Sequence, residues 1–149
     1  KILYMVRDPL SVIPSGLSLV TGVLDKSLGF WSLPKEKRTF YINRLYKALI
    51  TLLLRFHDDW INGNIDKSKV KIVRFDTMMN NFEDLMEGIL KLIDYNPDKN
   101  MLDNIKKTAK KQREFSSKHS YDLEKFGLTE EKIKNDCSVI YDTFLNSND

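Results

Sequence analysis

Two short runs rich in apolar and β-branched residues, 1–6 (KILYMV) and 70–75 (VKIVRF), are separated by a long stretch whose apolar residues recur at helical spacing. Strands this far apart, with helices between them, pair in parallel through a right-handed crossover. The expected fold is therefore α/β, helix-rich with a small parallel sheet, in a single domain over 1–149. Residues 1–6 read as a buried strand. Two strands alone make a poor sheet and parallel sheets are covered on both faces, so further strands are expected upstream of Lys1.

The helical pattern divides into pieces. A first helix is expected over 9–20, irregular at Pro14, followed by a turn-rich segment 21–33 that carries Phe30 and Trp31. A long helix follows over 34–61. Phe40, Leu45, Leu49, Leu52, Leu53, Phe56 and Trp60 form its apolar stripe, and Asn62-Gly63-Asn64 stops it. Beyond the second run, Asp76-Thr77 starts a turn and helix with Phe82, Leu85, Met86, Ile89, Leu90 and Ile93 on one face, ended by Asn96-Pro97. Residues 98–111 read as a helix with a dense lysine face. Thr129, followed by two acids, opens the last helix, which buries Ile133, Cys137, Ile140, Tyr141 and Phe144.

Composition narrows the partners. A hydrophobic content of 42% with 30% charged residues is that of a soluble globular chain, and a net charge of +3 does not point to nucleic acid. One cysteine, Cys137, excludes an intramolecular disulfide and a cysteine-rich zinc site, and it reads as a small core residue. His57 and His119 are far apart, so no metal constellation is visible. The apolar run 48–54 is too short to span a bilayer. No signal peptide is recognisable and the expected location is cytoplasmic. An opening inside a strand reads as part of a longer protein.

Chemistry concentrates where the first run ends. Arg7 stands at the carboxyl end of that strand, Asp8 is placed to cap a helix, and Pro9 suits its first position. Backbone donors and the helix dipole favour anions there, and a guanidinium adds a planar bidentate donor. The alternative is an Arg7 that simply pairs with Asp8. Ser11 and Ser15 share a helix face. A second basic region comprises Lys106, Lys107, Lys110 and Lys111, read as a solvated face. Arg113 and Lys118 follow in an expected loop and are better placed to hold a phosphate. His119 and Tyr121 share that segment, with a turn or capping role the alternative for His119 and packing the alternative for Tyr121; Leu123, Phe126 and Leu128 read as packing residues. Asp76 follows the second strand as Asp8 follows the first, and helix capping accounts for both. The glycines are scattered, with no phosphate-cradling loop, and no nucleophile–base–acid set assigns a catalytic residue.

The opening KILYMVRDPLSVIPS resembles the second nucleotide-binding segment of the sulfotransferases that use 3′-phosphoadenosine 5′-phosphosulfate (PAPS). That segment is a strand, then R-[DN]-P, then a serine eight residues after the arginine. VKIVRFDTMMNNFEDLMEGILKLIDY is similar to the family's later strand and helix, with Asp94-Tyr95 in place of a final glycine after "F-L". SSKHSYDLEKFGLTEEKI is similar to a C-terminal stretch of a bacterial branch. The resemblance implies a P-loop NTPase-like sulfotransferase fold, truncated, with PAPS as cofactor and a hydroxyl or amine acceptor. It implies Arg7 and Ser15 as ligands of the 3′-phosphate, with Arg113 and Lys118 the nearest basic residues to the family's C-terminal clamp. The family's first phosphate loop, which takes the 5′-phosphosulfate, is not among these residues. The catalytic base is expected upstream with it, so this chain alone is expected to turn over poorly. Two other readings stay open: a non-catalytic helical module that binds an anion or partner, and a kinase-like nucleotide binder of the same fold.

Overall fold

Ile2–Val6 (β1) and Val70–Arg74 (β2) pair in parallel as a two-stranded sheet, with Ile2 opposite Val70 and Val6 opposite Arg74. The structure, a computed structural model, describes residues 1–115 and 122–146. Helices dominate the rest: Pro9–Leu28 (α1), Lys35–Ile61 (α2), Phe75–Asn80 (α3), Phe82–Leu92 (α4), Lys99–Arg113 (α5), Glu130–Asp136 (α6) and Ser138–Ile140 (α7). A π-helical turn, Tyr141–Leu145, follows α7. The chain is α/β and helix-rich, as the spacing of its two strand runs predicts. Among the described residues no helix is long and apolar enough to cross a membrane. The chain divides into two compact units, Lys1–Arg7 with Gly63–Lys118 and Asp8–Asn62 with His119–Asp149, as far as these are described.

In the first unit β2, paired with β1, packs against α3 and α4, and α5 packs on those two helices. The expected burial of residues 1–6 holds for Val6 alone. Ile2, Leu3 and Met5 are 50%, 51% and 53% exposed, because a two-stranded sheet leaves most of the pleat without a covering layer. β2 ends one residue earlier than its apolar run, since Phe75 already opens α3. Leu85 and Leu90 bury the inner face of α4, whereas Ile93 lies past its end and is exposed. The helix stops at Leu92, ahead of Asn96-Pro97. Asp94 takes the left-handed conformation (φ +54°), and Tyr95 donates its N–H back to the Leu90 carbonyl at 3.0 Å. Asp98 caps α5 through the Met101 N–H at 2.8 Å.

In the second unit the Asp8 carboxylate accepts the Leu10 N–H at 2.8 Å and Pro9 fills the first helical position. α1 does not end near residue 20. It runs to Leu28 and stops where Gly29 turns left-handed (φ +62°) and returns its N–H to Asp25. The reason lies in Thr21, which is buried and gives its hydroxyl to the Leu17 carbonyl at 2.7 Å, so a residue typical of turns is satisfied inside a helix. Gly16 lets Leu49 of α2 approach closely, since a Cβ there would stand 3.1 Å from the Leu49 methyls. α2 has the predicted extent, and Leu45, Leu49, Leu53, Phe56 and Trp60 of its predicted stripe are partly buried. Ile42 and Tyr46 are buried, while Phe40 and Leu52 face solvent. The core gathers Ile13 and Leu17 of α1 with Ile133, Cys137, Ile140 and Phe144 of the C-terminal helices. Each such side chain contributes about 1.5–3 kcal/mol on burial.

Candidate functional site

The parallel register decides what surrounds Arg7. Because Val6 stands opposite Arg74, the next residues, Arg7 and Phe75, leave the sheet side by side. The Arg7 guanidinium lies over the Phe75 ring, 4.2 Å from its centroid. Such a cation–π contact contributes about 0.5–2 kcal/mol and fixes the plane of the guanidinium while leaving its N–H edge free.

Among the described residues Arg7 has no ion-pair partner. The alternative pairing with Asp8 is not formed. Asp8 accepts the Leu10 N–H and, at 2.5 Å, the Tyr141 hydroxyl. Burial, and then the hydrogen bond to Asp8, push the Tyr141 phenol well above the usual tyrosine range. The Cys137 thiol is pushed up to about 11, by burial first and then by Asp136 and Asp8. Cys137 is therefore a neutral thiol, in the core position its spacing predicts.

Ser15 lies in α1, partly buried, and its hydroxyl makes no hydrogen bond among the described residues. Arg113 is not in a loop. It is the last residue of α5, and its Nη1 donates to Glu83 Oε2 at 2.9 Å across a half-exposed surface. Pairs of that kind contribute about 0–1 kcal/mol, so the guanidinium is partnered but not locked. Lys118, His119 and Tyr121 lie outside the described residues. Lys106, Lys107, Lys110 and Lys111 are exposed along α5. Asp76 accepts the Thr77 N–H at 2.9 Å, a local backbone contact in the first turn of α3.

Trp31 is held between its neighbours. It meets Phe30 edge-on at 5.1 Å and Phe126 at 6.2 Å, and Lys125 Nζ stands 4.3 Å from its centroid. His57 packs edge-on against Phe144 at 6.1 Å and borders an apolar face. Sequence reasoning missed Phe75 as the platform for Arg7. Arg7 follows its run, but Phe75 closes its own run in the sequence, so the pairing becomes legible only once β2 is seen to end at Arg74 and the register is known. It also missed Tyr141 as the partner of Asp8, a contact spanning most of the chain with no local signature. No protein-family model, curated protein or solved structure matches this chain.

Proposed function

We propose that this chain carries the 3′-phosphate-binding part of a PAPS-dependent sulfotransferase, on a P-loop-like fold. The observation that carries the reading is Arg7: a guanidinium at the carboxyl end of β1, oriented on Phe75, with no carboxylate partner among the described residues. A phosphate is the natural ligand of such a group, because two parallel N–H donors match two phosphate oxygens. Ser15, which the resemblance names as the second ligand, offers a hydroxyl with no hydrogen bond among the described residues. Arg113 is available by exchange from Glu83, and Lys118 is carried by the resemblance alone.

A further support comes from a departure. Where the family motif ends in glycine this chain has Asp94, and Asp94 keeps the left-handed backbone that glycine would adopt.

When bound, PAPS supplies the sulfuryl group that passes in line to a hydroxyl or amine acceptor. The part of this chain is to hold the nucleotide by its 3′-phosphate, and Arg7 does so by charge and bidentate geometry without moving a proton. No glycine-rich phosphate loop is present in 1–149, so activation of the sulfuryl group is not assigned to these residues.

The test is calorimetric titration of adenosine 3′,5′-bisphosphate into the chain and its Arg7→Ala variant. The reading expects binding that weakens by about ten-fold or more on losing a charged hydrogen-bonding partner. Equal affinity for both proteins contradicts it and favours a module that binds its partner through other residues.

A further inference from the structure

α4, α5 and the turn between them wall a cleft of about 530 Å³, within the size range of small-molecule sites. Its floor is apolar, with Leu90 buried and Leu102 and Ile105 contributed by α5. Two salt bridges on its walls are already complete: Glu87 with Lys91 at 2.6 Å, and Glu83 with Arg113 at 2.9 Å. Two opposite charges are not. Asp94 and Lys106 both line the cleft, neither side chain has an ion-pair or hydrogen-bond partner among the described residues, and they do not reach one another. The Tyr95 hydroxyl beside Asp94 is likewise unpartnered.

Asp94 is the unexpected member. It ends α4 in the left-handed region, where glycine is favoured and a side chain is strained. Capping alone does not call for a carboxylate there. A helix C-terminus also disfavours negative charge, since its free carbonyls already carry the negative end of the dipole. An acid at a helix C-terminus, lining an apolar-floored cleft that an unpaired ammonium also lines, suits a ligand that brings both charges with it.

We propose that this cleft binds a small zwitterion with an apolar side chain, a free α-amino acid. Asp94 takes the ammonium, Lys106 takes the carboxylate, and Leu90, Leu102 and Ile105 receive the side chain. The cleft does not include Arg7 or Ser15, so this binding stands or falls apart from the nucleotide reading.

The probe is L-leucine, titrated into the ¹⁵N-labelled 149-residue chain and followed by amide NMR shifts. Saturable shifts are expected among residues 83–106, which include the cleft. N-acetyl-L-leucine lacks the ammonium and L-leucinamide lacks the carboxylate, and each is expected to bind about ten-fold more weakly. Asp94→Asn keeps a residue tolerated in the left-handed region and should erase the difference between leucine and N-acetyl-leucine. Lys106→Gln should erase the difference between leucine and leucinamide. Absence of saturable shifts at these residues, or equal binding of leucine and its blocked forms, overturns the proposal.

Discussion

Arg7, Asp94 and Cys137 show how single residues in this chain take their character from the backbone that holds them. Arg7 is oriented by a ring that the parallel register delivers beside it. Asp94 bears a side chain in a conformation that costs an L-residue about 1 kcal/mol or more. Asp94→Gly should therefore raise stability to urea by about 0.5 kcal/mol, part of the relief being offset by the freer unfolded chain. A fall in stability would contradict the strain.

Cys137 is fully buried with its thiol pushed up to about 11. The unfolded chain sheds that proton at lower pH than the folded one. Its contribution is thus fully present below pH 9, the ordinary value, and is lost as pH rises toward about 11. Urea midpoints across that window should fall for the wild type and fall less steeply for Cys137→Ala. At neutral pH iodoacetamide should label Cys137 only as fast as the chain opens. Its burial was legible from helical spacing alone. The role of Asp94 was not, because a left-handed aspartate carries no sequence mark beyond standing where the resembling motif has glycine.

Among the elements, caps and stops were read well where a side chain announces them: Asp8 with Pro9, Thr129, and the Asn62-Gly63 stop of α2. The end of α1 was not legible, because Thr21 and Gly22 resemble turn residues until the Thr21 hydroxyl is seen bonded to Leu17. The two misplaced members of the α2 stripe have a similar cause. Apolar spacing gives the period of a helix, but its neighbours choose the face, and they buried Ile42 and Tyr46 in preference to Phe40 and Leu52. The start of α1 also has an anchor distant in sequence, the Tyr141 hydroxyl on Asp8. Asp8→Ala should cost about 1–2 kcal/mol through the lost cap, and Tyr141→Phe about 1 kcal/mol through the lost hydrogen bond. Their double variant should cost less than the sum, since both remove the same bond. Strict additivity in urea unfolding would mean that the bond contributes nothing.

For the whole molecule, the α/β character followed from two strand runs set far apart, and the parallel pair formed in the register that brings Arg7 to Phe75. What spacing did not convey is how little of β1 two strands can cover, because burial depends on layers that no single run encodes. The central claim is that Arg7 stands ready for a phosphate on the 3′ carbon of an adenosine nucleotide. The most direct measurement compares adenosine 3′,5′-bisphosphate with adenosine 5′-monophosphate by calorimetry on the unaltered chain. The account predicts tighter binding of the bisphosphate, by about ten-fold or more, with the difference vanishing in Arg7→Ala. Equal binding of the two nucleotides, or a preference that survives the loss of Arg7, would contradict it.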